Sequence, residues 1–446
     1  MSSEQTHFLF SSLSNSLIAE LSLELSCSSN NFCSARIKVP VSIITSLYNE
    51  VSLSQQKHIH TKGFISGNVP LEYIKQNFKK NIIEHIKEFL FRFCIIDFLY
   101  SELRKQKIII AGEPKLLVVS LELDQDAYFL FEFTKYSDLI INEWKYFSFK
   151  SPSRKKYQDL DRQVDFFIKT EQEFLINHKE ETLVPGDWVN FNIALNNTAT
   201  NDLLLGLKQN FWFRLGNEKL ESPLQDIFIG KKVGDIFSTD NKGFQDFFSN
   251  QLTSHYSFRI EIVDMLSSAY FCLDQFKHHF KLKTNKDVHK KLIEVFSYRD
   301  DLSQRRSMVE ESFKLLLSKH QFTIPSYLTL RQQKILLEKI SHNPDYNVYR
   351  KEKNFMTHVQ NLAEKQVRES IFIDGFAYQE NIDITHDDVK NYFNLMNRQR
   401  TKEFIYFQTP LSTIHGQEMP IQTEEIKRIC LREKAINYAI YHLTKK

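Results

Sequence analysis

His278 and His279, with His289 further on, are the side chains of this chain whose type and spacing come nearest to ligand chemistry. Imidazole nitrogens bind zinc well, but adjacent histidines on a helix point in different directions, and no cysteine or carboxylate at ligand spacing completes a set. Solvated histidines are the reading that this spacing supports, and no metal is expected. The five cysteines, Cys27, Cys33, Cys94, Cys272 and Cys430, are scattered and contain no CxxC pair. Odd in number and without matching histidines, they read as reduced thiols of a cytosolic protein. No GxxxxGK[ST] or GxGxxG run offers backbone amides to a phosphate. No Ser, His and Asp or Cys and His arrangement has recognisable spacing either. Arg305 with Arg306, and Lys445 with Lys446, read as solvent-facing charges near helix ends. No cofactor is expected, and the residue types point to binding, not to bond-making.

Composition narrows the binding classes. The chain of 446 residues is 42% hydrophobic and 25% charged, enough to bury cores in several domains and too apolar for bulk disorder. Lys and Arg number 58 against 55 Asp and Glu, so there is no global field for a polyanion and DNA is not an expected partner. Gly is scarce at 11 and Pro at 10, while Phe reaches 38, which favours a helix-rich, aromatic-packed body. The first residues, MSSEQTHFLFSSLSNSLIAELSLELS, lack a basic leader region and alternate polar with apolar side chains. They predict neither a signal peptide nor a membrane span, and a cytoplasmic location is expected.

The elements that would position any site follow from periodicity. Ile37, Val39 and Val41 alternate, then SIITSLYNEVS turns helical. From Pro70, a residue suited to a helix start, Ile74, Phe78, Ile82, Ile86, Phe89, Phe93 and Ile96 lie on one broad helical face. LLVVSLEL and AYFLFEF read as linker strands or a hairpin. Leu160, Val164, Phe167, Ile168 and Leu175 carry a further helical period. DWVNFNIAL, NFWFRL, DIFS and YSFRIEIVDML then predict a compact β-rich module. In the last third, Thr284 with Asp287 and Thr385 with Asp388 have the spacing of capping boxes, in which each side chain satisfies an orphan helix donor. Amphipathic helices with a wide apolar surface follow one another to the end. Val359, Leu362, Ala363, Gln366, Val367, Ser370 and Ile371 trace a stripe on one of them.

Four stretches carry a resemblance: GFISGNVPLEYIKQNF at 63–78, LGNEKLESPLQDIFIGKKVGDIF at 215–237, FTIPSYLTLRQQKILL at 322–337 and CLREKAINYAIYHL at 430–443. With AEKQVRESIFIDGFAYQENIDITHDDV at 363–389 they run in the order found in trigger factors, the bacterial ribosome-associated chaperones, and the chain resembles a divergent member of that family. The resemblance implies an α+β multidomain fold: an N-terminal α/β ribosome-binding-like domain (1–112), linker strands joining the C-terminal body (113–155), a small FKBP-like β-rich domain of the peptidyl-prolyl isomerase type (156–264), and a large α-helical C-terminal domain with arms that binds clients (265–446).

It also implies residue roles. The family's ribosome-docking loop falls on Gly63, Phe64, Gly67 and Pro70, while its arginine and lysine fall on Ile65 and Asn68, so the positive fork is missing. Residues 57–107 nevertheless hold ten Lys or Arg against five Asp or Glu, charges that add salt-sensitive affinity for ribosomal RNA or merely solvate a helix face. The isomerase pocket falls on Asn192, Ile193, Leu220, Glu221, Leu224 and Phe247. A carboxylate at Glu221 would resist desolvation in a proline pocket, so a surviving fold with weak or absent catalysis is expected. Phe355, Met356, Phe393, Met396, Phe404 and Tyr406 are the candidate client contacts, although aromatics on helix stripes are also what cores are made of. The implied function is an ATP-independent chaperone that holds nascent or unfolded polypeptides near the ribosome exit. An active isomerase, or a chaperone of one dedicated partner that no longer docks on ribosomes, are the alternatives.

Overall fold

The computed structural model describes residues 21–28, 31–65, 67–136, 139–152, 159–177, 182–196, 203–217, 222, 224–248, 256–408, 413–414 and 417–445. Its N-terminal sheet has four antiparallel strands, β1 (Ser22–Cys27), β2 (Phe32–Val39), β3 (Ile110–Ser120) and β4 (Ala127–Lys135), in the order β1-β2-β4-β3. Cys33, Ala35, Ile37 and Val39 alternate inward along β2. Opposite them β4 sets Phe133, Phe131, Phe129 and Ala127, so both strands send their apolar residues to one face. Read from sequence as linker strands, β3 and β4 instead complete this sheet, because the aromatic face of β4 needs a partner strand and a core.

The β1–β2 hairpin sets Cys27 opposite Cys33, 4.0 Å apart at Cα, and a disulfide joins them. Free thiols, expected for all five cysteines, are found only at Cys94, Cys272 and Cys430. The hairpin is what makes the pair, and spacing along the chain did not reveal it.

Helix α1 (Val41–His58) follows β2, and the apolar stripe that begins at Ile74 runs over α2 (Leu71–Asn77), α3 (Lys79–Leu90), a π turn at Phe91–Ile95 and α4 (Ile96–Lys105). Ile74, Ile82, Ile86, Phe89 and Phe93 are fully buried. Much of what they pack against is the β-rich module. There β5 (Trp188–Asn196), β6 (Leu203–Arg214), β7 (Ile236–Thr239) and β8 (Ser257–Leu266) form a sheet in the order β6-β5-β8-β7, and the short segment Ile421–Gln422 adds an outer strand beside β6. Helices α6 (Gln225–Phe228) and α7 (Lys242–Phe248) cover one face. Phe89 meets Tyr256 at 4.6 Å between ring centroids, Phe93 meets Phe248 at 5.0 Å, and His85 Nε2 lies 2.7 Å from Tyr256 Oη. One continuous apolar cluster therefore runs from the N-terminal sheet through α3 into the module.

The remaining helices form the body that shapes the site. Helix α5 (Leu160–Asn177) packs on α9 (Asn285–Phe296) through Leu160 and Val164, beside α8 (Leu273–His279). Arg398 clamps Glu171 of α5 with nitrogens at 2.6 and 3.1 Å. Helices α10 (Gln304–Lys319), α11 (Ser326–Ser341), the single turn α12 (Tyr346–Tyr349), α13 (Phe355–Gln379), α14 (His386–Met396) and α15 (Thr423–Thr444) complete the fold. Capping boxes form at Thr284 with Asp287 and at Thr385 with Asp388, as their spacing predicts. Gly375, in mid-helix, lets the segment after β4 cross closely: a Cβ there would meet Leu139 Cδ2 at 2.7 Å.

Candidate functional site

Helices α11 and α13 stand together as a two-helix arm. Leu336, Val359 and Ala363 are buried between them, while Leu330, Met356 and Leu362 stay 56%, 53% and 41% exposed. At the root of the arm opens a cavity of about 630 Å³, walled by α11, α13 and α10, floored by α15, and bounded by α4, the start of β3 and residues 402–408. Apolar and charged groups share the lining. Leu328, Ile335 and Leu362 face it from the arm, Val309 from α10 and Ile429 from α15, beside Glu310, Lys365, Arg331, Glu425 and Arg428.

Two arrangements fix the charged part of the lining. Tyr406 Oη donates to Glu369 Oε2 at 2.9 Å, and Lys365 Nζ reaches Glu369 at 3.8 Å and Glu310 at 3.6 Å. Burial pushes the Glu369 carboxyl up to about 7, against the pull of Lys365 and the Tyr406 hydroxyl. On the floor, Arg432 forks onto Asp374 at 2.7 and 2.6 Å, while the Arg428 guanidinium lies 5.0 Å from the Tyr100 ring centroid. Behind Tyr406, the backbone N–H groups of Tyr406 and Phe407 both donate to Glu433, whose carboxyl burial also raises to about 7. A lining in which apolar side chains alternate with paired charges offers contacts of both kinds and no single fixed ligand geometry.

The client residues named from sequence divide. Tyr406 and Phe404 border the cavity, Phe404 with its ring packed on Phe276 and Phe280. Met356 is exposed on the arm, and Phe355 is half-buried beside Tyr346. Phe393 is fully buried between Trp188 and Trp212 at 4.0 and 4.9 Å, and Met396 packs on the same cluster, so neither faces the cavity. An indole-lined slot on the module takes up these stripe residues, which periodicity alone cannot foresee. Sequence reasoning missed Glu369, Asp374, Arg428 and Arg432. The available signal was an acidic pair, Glu369 and Asp374, on the apolar stripe of α13, where an unpaired carboxylate would be costly.

In the module, Leu220 and Glu221 lie outside the described residues. Asn192 donates to Glu261 at 2.8 Å and accepts from Asn210 at 3.0 Å, and Lys208 lies 3.5 Å from Glu261. Ile193 and Leu224 are fully buried, and Phe247 is half-buried with its carbonyl accepting from Arg92 at 3.3 Å. Between sheet and helices, Phe191 sits 4.9 Å from Phe228 and 5.9 Å from Phe244, all three without exposure. The module's own rings occupy its interior.

The loop at Gly63–Pro70 projects from the turn between α1 and α2. Gly63 and Gly67 take φ of +93° and +84°, which side-chain-bearing residues resist, and a Cβ at either would meet nothing. Val69 is buried with its carbonyl accepting from Gln56 at 2.8 Å, which anchors the base next to Pro70. Phe64 leans on Tyr73 at 5.0 Å and Ile65 is 75% exposed. His279 lies 3.6 Å from Asp388, and His289 lies 3.4 Å from Asp165, at separate places. Among the described residues no group of three or more ligand-type side chains gathers, and no helix is long and apolar enough to cross a membrane.

Comparison with known proteins agrees with the sequence-level likeness. Residues 22–169 match the family described as bacterial trigger factor protein. The trigger factor of Geotalea daltonii is 20% identical over 386 residues, covering 82% of this chain and 85% of that protein. That of Rickettsia massiliae is 19% identical over 414 residues, covering 92% and 91%, and that of Haemophilus influenzae strain PittEE is 22% identical over 205 residues, 46% of each chain. A solved structure from work on promiscuous substrate recognition by the trigger factor chaperone aligns with 95% of this chain and 100% of its own, at 14% identity and a TM-score of 0.34, too loose an overlay to bear on shape. The N-terminal third of the chain thus matches the trigger factor family, and curated trigger factors align with it over four-fifths or more of its length at about one residue in five, so the chain is similar to trigger factors along most of its length.

Proposed function

We propose that this protein holds unfolded or nascent polypeptide segments in the cavity at the root of the arm, without a nucleotide cycle, while its β-rich module serves as scaffold and no longer isomerises proline. The observation that carries the reading is the cavity itself, bordered by an arm that leaves Leu330, Met356 and Leu362 in solvent while neighbouring Val359 and Ala363 are buried. Apolar side chains held open on a rigid two-helix support bind greasy segments, and the interspersed ion pairs keep the free protein soluble and the contacts weak enough for release. The test is suppression of aggregation of a chemically unfolded client by the full chain. Leu330→Ser with Leu362→Ser should weaken suppression severalfold at unchanged thermal midpoint; equal suppression by that variant rejects the exposed apolar side chains of the arm as the binding surface.

The filled interior around Phe191, Phe228 and Phe244 supports the loss of isomerase activity. Ordinary turnover of a proline peptide by the full chain would refute it. Docking on the ribosome near its exit, in the cytoplasm, follows from the Gly63–Pro70 loop and its lysine-rich surroundings. A second reading, a chaperone of one dedicated partner, is favoured by Ile65, an exposed apolar side chain where the family has a basic one. Sedimentation with ribosomes at graded salt separates the two: binding that falls with salt and with Phe64→Ala supports docking, and absence from the ribosome pellet at low salt supports the dedicated partner.

A further inference from the structure

The Cys27–Cys33 disulfide closes the end of the β1–β2 hairpin, and its two halves are unequal: Cys27 is exposed, whereas Cys33 is 1% exposed within the N-terminal core. The neighbour of Cys33 is Phe32, whose ring stacks on Tyr327 at 6.0 Å and 22°. Tyr327 stands in the first turn of α11, and its hydroxyl hydrogen-bonds Thr134, the β4 residue paired with Phe32. The hairpin end therefore grips the root of the arm, alongside Leu328 against Ala111 and Arg331 Nη1 donating to the Glu113 carbonyl at 2.6 Å.

We propose that Cys27 and Cys33 form a reversible dithiol–disulfide site, opened by a dithiol reductant at Cys27, whose state sets how firmly the root of α11 is held on the N-terminal sheet. The thiolate of the reductant attacks Sγ of Cys27, the sulfur on the solvent side; the Cys27–Cys33 bond breaks as the mixed disulfide forms, and Cys33 leaves as a thiolate that takes a proton. The reductant's second thiol then displaces Cys27, so two electrons and two protons pass to the cysteines and the dithiol becomes a disulfide. Reduction loosens the hairpin without unfolding it. The amide of Ser28 still donates to the Phe32 carbonyl at 2.8 Å and that of Lys135 to the Asn31 carbonyl at 2.8 Å. What is lost is the restraint that holds Phe32 against Tyr327.

The experiment uses the full chain, oxidised with glutathione disulfide or reduced with dithiothreitol, with disulfide state read by mass. Its readouts are alkylation and amide hydrogen exchange, which do not depend on client binding, so failure here leaves the proposed function standing. In the reduced chain Cys27 should be alkylated ahead of Cys33. Amides of residues 327–331 should exchange roughly two- to tenfold faster than in the oxidised chain, the change that release of one aromatic contact of ordinary strength allows. The Cys27→Ser, Cys33→Ser double variant should match the reduced chain and ignore dithiothreitol. Failure of the pair to oxidise, equal alkylation of both sulfurs, unchanged exchange in α11 on verified reduction, or a reductant response in the double variant each overturns the proposal.

Discussion

At the scale of single residues, the cavity is tuned by carboxylates that burial holds partly protonated near neutrality. Glu369 is 3% exposed, and its carboxyl stands at about 7 in place of the ordinary 4.5. A folded-state value above the unfolded one means that the folded chain binds the proton more tightly. The stability this confers is whole below pH 4.5 and drains away as pH rises to 7, by about 3 kcal/mol for that shift. Glu369→Gln keeps an acceptor for Tyr406 and removes the titration. Between pH 5 and pH 8 its urea midpoint should fall less than that of the parent, by the equivalent of about 2.5 kcal/mol. Glu433 and Asp97, also raised to about 7 chiefly by burial, should leave the variant part of the parent's slope. The acidic residues of the site were not foreseen, and the client residues named from sequence were legible only in part. Phe393 and Met356 both read as stripe residues, yet Trp188 and Trp212 cover one and solvent meets the other, because period locates a face and says nothing about what will lie on it.

At the scale of elements, the helix starts are the most local features and the most legible. Thr385 Oγ1 accepts from the Asp388 amide and Asp388 returns a bond to the Thr385 amide at 2.9 Å, as at Thr284 and Asp287. The two boxes differ in what surrounds them. Asp388 also meets Lys434 of α15 at 2.7 Å and His279 of α8 at 3.6 Å, and these partners hold its carboxyl below the usual carboxylate range against the penalty of burial. Thr385→Ala should cost about 1 kcal/mol, the ordinary worth of a cap. Asp388→Ala should cost roughly 3 kcal/mol, since it also strands a partly buried lysine. Asp287→Ala, at the exposed box, should stay near the smaller figure, and chemical denaturation of the three variants checks the ordering. Pairings between distant segments were the illegible part. The strand at Ile421–Gln422 is too short to carry any alternation, the place of β3 and β4 in the N-terminal sheet depended on β2, and the Cys27–Cys33 bond depended on the hairpin register. The cavity drew its lining from seven separated stretches of chain, none of which shows it alone.

At the scale of the whole molecule, the N-terminal helices and the β-rich module share one interior. Phe89 touches Phe93, Tyr256 and Phe248 and has no exposure, so α3 belongs as much to the module as to the N-terminal sheet. The outer strand of the module enters α15 directly, where Glu424 accepts two bonds from Arg104 of α4 at 3.0 and 2.8 Å. The module is thereby clasped on one side by α3 and on the other by the C-terminal helix. Cut out alone, residues 156–264 would expose Tyr256, Phe248 and the open edge of β6, and a sheet with a bare edge and a bare apolar face tends to aggregate. The isolated segment should therefore fail to give a cooperative thermal transition. In the full chain Phe89→Ala should cost about 3–5 kcal/mol, the range for emptying a packed aromatic site. Fluorescence of Trp188 and Trp212 reports the module and hydrogen exchange of β2 and β4 reports the N-terminal sheet; the two should lose stability together in that variant. If exchange in β2 and β4 kept its parental protection while the tryptophans unfolded early, the shared interior would be no more than contact between two independent domains.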